Sequence, residues 1–134
     1  KKVVPPPLLP LPTNLKERVD RAESRIRKDP ASVEAWIELA DLLHFEMFWL
    51  QATESVYERI LRLDPERTDM RWRLIDIHQM TSDVEGENRQ WCEVLRRQPG
   101  DGLALWYYKW FRKSNYREDP RTELCRDRLG RAFD

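Results

Sequence analysis

Four residues of this 134-residue chain have side chains that commonly bind metals or act as nucleophiles: His44, His78, Cys92 and Cys125. Zinc sites usually contain ligand pairs a few residues apart, and no two of these four residues are that close. A cysteine–histidine nucleophile would need a thiol beside a histidine from another helix, and no local signature marks one. The cysteines form no CxxC pair, so nothing indicates a disulfide framework. We therefore expect free thiols, no metal, no cofactor and no enzymatic activity.

Three segments share a pattern that indicates a structural repeat: AESRIRKDP (22–30), YERILRLDP (57–65) and WCEVLRRQP (91–99). Each has an aliphatic residue at its fifth position, Arg at its sixth and Pro at its ninth, and the prolines are 35 and 34 residues apart. A fixed period of that length is typical of stacked helical units. A residue before proline is pushed out of the helical conformation. We therefore predict an array of helical hairpins in which each repeat ends at one of these prolines.

Apolar residues at helical spacing predict seven helices, one alone and then three pairs. The lone helix is a half repeat over 14–30, which opens with a capping box at Asn14 and stops before Pro30. The last helix is predicted to start at Asp119-Pro120, because Asp is a good N-cap and Pro fits the first helical position. The three pairs are predicted over 33–65, 68–99 and 102–134.

The unit at 33–65 resembles the tetratricopeptide repeat, a helical hairpin of about 34 residues. The residues that match the signature of that family are Trp36, Leu39, Ala40, Tyr57 and Pro65. Later units follow it less closely, since Ile75 and Glu87 replace the expected small residues. The resemblance implies an all-α fold over 14–134, a right-handed α-α superhelix (TPR-like solenoid) of about seven helices. A sibling helical-hairpin family of RNA-processing scaffolds has similar second helices, and VYERIL (56–61) fits that family as well.

The resemblance also implies that the first helix of each pair faces a concave groove, and that the groove binds a peptide segment of a partner protein. The residues on this stripe are Ile37, Asp41, Phe45, Trp72, Asp76, Met80, Trp106 and Trp110. Aromatic anchors carry most recognition energy, whereas carboxylates at the edge select charge. We expect Trp72 and Trp106 to be the apolar anchors, and Asp41 and Asp76 to pair with basic side chains of the partner. Trp36 and Trp91 are both expected to lie in the core, where they would fill the packing between repeats.

Two other functions are compatible with the sequence. Residues 109–134 contain eight basic and five acidic residues beside the aromatic run WYYKWF (106–111), and such a combination can bind single-stranded nucleic acid. The chain would then be an RNA-processing scaffold or an RNA-binding protein. The other alternative is a chaperone-like repeat protein that holds a secretion or assembly partner.

The Pro-rich arm, residues 1–13, has two possible roles. It is either a linker, or it binds in the groove of its own chain or of a neighbouring molecule. Binding to a neighbouring molecule would allow self-association.

Composition excludes further classes of protein. The 24 basic and 24 acidic residues balance, so no overall field attracts nucleic acid or an anionic membrane. No apolar run approaches the roughly 18 residues of a membrane span, so we expect no membrane insertion. Four glycines are few for phosphate-binding loops or a turn-rich β fold. Free thiols favour the cytoplasm, with a Pro-rich stalk after a removed anchor as the alternative.

Overall fold

The computed structural model describes residues 13–113, 125–131 and 133. The regular secondary structure within these ranges is helical and includes no strand, which confirms the all-α part of the predicted fold. The helices are α1 Thr13–Lys28, α2 Val33–Asp41, α3 Leu50–Leu63, α4 Thr68–Met80, α5 Val84–Arg97 and α6 Gly102–Lys113. None of the helices in the described ranges has the length and apolar character that a membrane span requires.

The predicted helix ends agree with the structure where proline sets them. α1, α3 and α5 each end two residues before a proline, namely Pro30, Pro65 and Pro99, because the residue before a proline avoids the helical conformation. The capping box at Asn14 is wrong, since α1 already includes Thr13. The Asn14 carboxamide instead accepts a hydrogen bond from the neighbouring Leu15 amide at 2.9 Å.

The chain divides into two compact units, unit 1 (Lys1–Pro65) and unit 2 (Glu66–Asp134). In unit 1, α2 packs against both α1 and α3. Three alanines are completely or almost completely buried, namely Ala22, Ala35 and Ala40, and small side chains let helices approach closely. Ser32 caps α2 by accepting a hydrogen bond from the Ala35 amide at 3.3 Å.

Unit 1 departs from regular α-helix after α2. The chain continues as a π-helical turn, Leu42–Glu46, and Phe48 then adopts a left-handed backbone conformation with φ 54°. A positive φ is unusual for a bulky residue. His44 is buried in this turn, and its Nδ1 lies 2.6 Å from the Tyr57 hydroxyl of α3. This hydrogen bond fixes the turn against the second helix of the hairpin.

In unit 2, α5 lies between α4 and α6 and packs against both. Trp91 is 2% exposed at the centre of the core, as predicted. Trp36 of unit 1, which was predicted to be a core residue as well, is only half-buried. The residues that share this core are Ile75, Val94, Leu95, Ala104, Tyr108, Phe111 and Cys125. Glu87 is buried, yet its carboxylate accepts hydrogen bonds from Trp91 Nε1 at 3.0 Å and Gln79 Nε2 at 2.9 Å. These two donors explain how a glutamate replaces the small residue expected there, since a buried polar group needs partners.

The C-terminal part of unit 2 contradicts two predictions. Cys92 and Cys125 form a disulfide with their Cα atoms 5.4 Å apart, so the prediction of free thiols is wrong. Structural disulfides are typical of oxidising compartments, so the thiol argument for the cytoplasm no longer holds. The helix predicted from Asp119 lies partly outside the described residues, but residues 125–131 are not helical.

A turn centred on Asp127 replaces the predicted helix at this end. The Asp127 carboxylate accepts hydrogen bonds from the amides of Leu129 (2.9 Å) and Arg131 (2.8 Å). Gly130 has φ 82°, a left-handed conformation that glycine adopts without steric cost. Phe133 then packs against Tyr108 of α6, with the ring centroids 6.3 Å apart. Local hydrogen bonds to Asp127 thus satisfy the backbone without a helix.

Candidate binding surface

An apolar stripe of exposed side chains runs along α6. Its members are Leu103, Trp106 and Trp110, which are 51%, 58% and 49% exposed. Their spacing of three and four residues places them on one helical face. The opposite face of α6 contributes Ala104 and Tyr108 to the core. The helix is therefore apolar on two sides, and the described core of unit 2 packs against one of them.

Four aromatic rings connect this stripe to the core and to α4; we call them the aromatic chain. The Trp106 ring meets Tyr107 edge-on at 4.9 Å, and Tyr107 stacks on Trp91 at 4.5 Å. Trp91 in turn meets Trp72 edge-on at 5.0 Å. The two predicted anchors, Trp72 and Trp106, therefore lie at opposite ends of one continuous chain of rings. Such contacts restrict the orientation of the exposed indole of Trp106.

Two lysines lie beside the stripe. Lys109 and Lys113 are exposed, and they follow Trp106 by three and seven residues on α6. The sequence of α6, GLALWYYKWFRK, contains no acidic residue. Within the part of the chain that the structure describes, no ion pair engages either lysine. The stripe therefore has a positively charged edge.

Several carboxylates elsewhere in unit 2 pair with arginines. Glu93 of α5 pairs with both Arg96 and Arg97. Burial alone would raise the pKa of Glu93, but the Arg97 hydrogen bond and the charges of both arginines outweigh it and hold the pKa below its ordinary value. Arg71 of α4 donates to Gln90 of α5 at 3.1 Å, and burial lowers its pKa. The contacts of Arg71 connect α4 to α5 within unit 2.

The predicted site residues of α4 differ in exposure. Trp72 is half-buried, whereas Asp76 and Met80 are exposed. They follow each other at intervals of four residues and so share one face of α4. Unit 2 therefore contains five of the eight predicted groove residues, three on α4 and two on α6, and the aromatic chain links the two helices.

The other three predicted residues belong to unit 1. Ile37 and Asp41 are half-buried on α2. Phe45 is 52% exposed, and its ring stacks on His44 at 4.2 Å. Because Phe45 lies in the π-helical turn, it leaves the α-helical register of Ile37 and Asp41. Phe48 is also exposed, at 66%, and no pattern in the sequence indicated its left-handed backbone.

The histidines and cysteines have structural partners. His78 Nδ1 lies 3.1 Å from a carboxylate oxygen of Asp83, and the other oxygen of Asp83 caps α5 through the Gly86 amide at 2.9 Å. His44 contacts Tyr57, as described above. The two cysteine sulfurs are bonded to each other and therefore have no thiolate to offer a metal or a substrate.

No family model matches the chain, and no curated protein matches it in sequence. The chemistry of the surface itself indicates which ligands it can bind. Exposed indole rings and an aliphatic side chain bind apolar groups, and ammonium groups beside them attract anions. The arrangement supports noncovalent recognition.

Proposed function

We propose that this chain is a non-enzymatic, tetratricopeptide-like interaction module that holds a segment of a partner protein within a larger assembly. The observation that carries the proposal is the α6 stripe of Leu103, Trp106 and Trp110, which is half exposed at helical spacing. Contiguous exposed apolar side chains usually mark an interaction site. Tryptophan is also among the residues most enriched at binding hot spots. The helical hairpins that end before Pro65 and Pro99 support the repeat architecture.

In this proposal an extended or helical segment of the partner lies across unit 2. Trp106 and Trp110 are the main anchors, and Trp72 contributes the exposed part of its ring at the far end of the aromatic chain. Asp76 on α4 would select a basic side chain at that end. Loss of one tryptophan hot spot costs at least about 2 kcal/mol, which corresponds to roughly 30-fold weaker binding.

The test is affinity capture from an extract of the source organism. The intact chain is compared with a Trp106→Glu, Trp110→Glu variant whose helicity is unchanged by circular dichroism. Leu129→Glu is the matched control, because Leu129 is 77% exposed at the C-terminal turn and lies outside the stripe. A protein captured by the intact chain and by the Leu129 variant, but lost from the double tryptophan variant, supports the proposal. Capture that is equal for all three proteins contradicts it.

We also propose that the module works in an oxidising compartment, because the Cys92–Cys125 disulfide would be reduced in most cytosols. Cells are lysed in a maleimide, and the mass of the protein is then measured without reduction. An unmodified chain supports the proposal. A chain that carries maleimide on both cysteines places the protein in a reducing compartment.

A further inference from the structure

We propose that the partner segment bound by α6 is acidic, with carboxylates beside two or three apolar side chains. This inference rests on the proposed function and specifies the chemistry of the partner at the α6 end. The sequence predicted that carboxylates of the groove would select a basic segment. On α6 the charge next to the anchors has the opposite sign.

The two lysines of α6 lie on one side of the apolar stripe. At about 100° per residue, Lys113 lies about 20° and Lys109 about 60° to one side of Trp106. Trp110 and Leu103 lie about 40° and 60° to its other side. The surface of α6 is therefore an apolar stripe with ammonium groups along one edge. When the apolar side chains of a ligand cover the stripe, the ligand side chains that flank them lie next to these ammonium groups.

Among the residues that the structure describes, none compensates this positive charge. α6 has three basic residues and no acidic one. In the described ranges of unit 2, Glu66 pairs with Arg128 at 3.2 Å, Asp127 with Arg131 at 3.0 Å, and Glu93 with its two arginines. Within the described part of unit 2, no comparable ion pair reaches Lys109 or Lys113. Complementary charges at an interface set specificity, so these lysines favour an acidic ligand.

The chemistry of the stripe favours a peptide over nucleic acid. Leu103 is exposed to the same degree as the tryptophans, but an aliphatic side chain offers no ring on which a base could stack. The stripe extends about 10 Å along the helix, which matches the i, i+3, i+7 anchors of an amphipathic peptide. Nucleic-acid binding also depends on many phosphate contacts, and the basic and acidic residues of this chain are equal in number.

The experiment uses two synthetic peptides with the same apolar anchors at i, i+3 and i+7. One has Glu at the flanking positions and the other has Lys. Each is titrated into the intact chain at low salt and followed by tryptophan fluorescence, with a single-stranded oligothymidine as the third probe. We expect the Glu peptide to bind roughly ten-fold more tightly than the Lys peptide, because two attractions replace two repulsions. Lys109→Glu, Lys113→Glu should reverse this preference.

The matched control is Arg27→Glu, Lys28→Glu, which changes the net charge equally on α1 of unit 1 and should leave the preference unchanged. If both peptides bind equally well and the Trp106→Glu variant binds neither, the acidic preference is overturned. The proposal that the stripe is a docking surface would then still stand. Binding of neither peptide overturns the surface together with the α6 part of the proposed function. Oligothymidine that binds more tightly than the Glu peptide, and is lost when the α6 lysines are reversed, would replace the peptide with nucleic acid.

Discussion

Reduction of the Cys92–Cys125 disulfide should lower the free energy of unfolding of unit 2 by about 3–4 kcal/mol. The cysteines are separated by 33 residues, and the chain entropy of a loop of that length is about 12.5 cal/mol/K, or about 3.7 kcal/mol at 25 °C. The bond also holds the C-terminal turn on α5, where Arg96 Nε donates to the Arg126 carbonyl oxygen at 2.6 Å. Because Cys125 belongs to the core around Trp91, reduction should loosen α5 and α6 first.

Hydrogen exchange followed by mass spectrometry tests this prediction segment by segment. A gain of two mass units confirms that the bond is reduced, and peptides from α5 and α6 then report unit 2. If amide exchange in these peptides requires unfolding of unit 2, a decrease of about 3.7 kcal/mol in its unfolding free energy increases the exchange rate by roughly 500-fold. Peptides from α1 are the internal control within the same sample. Unchanged protection of α5 and α6 in the fully reduced protein would refute the loop-entropy reasoning.

Three further predictions concern single sites. Gly86→Ala should cost about 1–3 kcal/mol in chemical denaturation, because a Cβ there would lie 2.5 Å from side-chain atoms of its neighbours; Gly100→Ala, with open space around it, should cost almost nothing. Tyr57→Phe should cost about 1–3 kcal/mol by removing the buried hydroxyl partner of His44, and an unchanged melting temperature would contradict this. The pKa of Glu93 in the folded protein is lower than its ordinary value of 4.5. The ionised carboxylate therefore stabilises the fold at pH values above 4.5, and this stability is lost as the pH falls through the lower pKa of the folded state. Glu93→Gln should reduce the dependence of the unfolding free energy on pH in this acidic range.

The helices could be predicted because their ends have local causes. Proline sets the ends of α1, α3 and α5, and the apolar period of each helix identifies the side that packs. The C-terminal turn could not be predicted in this way. Asp119-Pro120 is a local helix-start signal, whereas the disulfide depends on where the fold places Cys92 and Cys125. The hydrogen bonds of Asp127 within the turn compete with a helix, and sequence spacing does not reveal which of the two prevails.

The exposed stripe of α6, which we propose as the binding surface, was predictable in part. The repeat period identified Trp106 and Trp110, which are exposed, and it also identified Trp72, which is partly occupied by its contact with Trp91. Spacing along a helix gives the direction of a side chain but not the ring that it meets across a hairpin. The direction of the Phe45 side chain could not be predicted from α-helical spacing, because Phe45 lies in the π-helical turn and the sequence of that turn, LLHFE, carries no clear signal for it. The absence of acidic residues from α6 was visible in the sequence. It indicates an acidic ligand only because the structure exposes the indole rings beside the lysines.

The most direct test of the central claim is photocrosslinking from position 110. A photoreactive phenylalanine analogue replaces Trp110 on the stripe or, as a control, the exposed Arg89 on α5, and each protein is irradiated in an extract of the source organism. We expect a discrete protein adduct from position 110 and none from position 89, with the crosslinked peptide rich in Asp and Glu. Identical adducts from both positions, or an adduct that nuclease digestion removes, would contradict the assignment of α6 as a protein-binding surface.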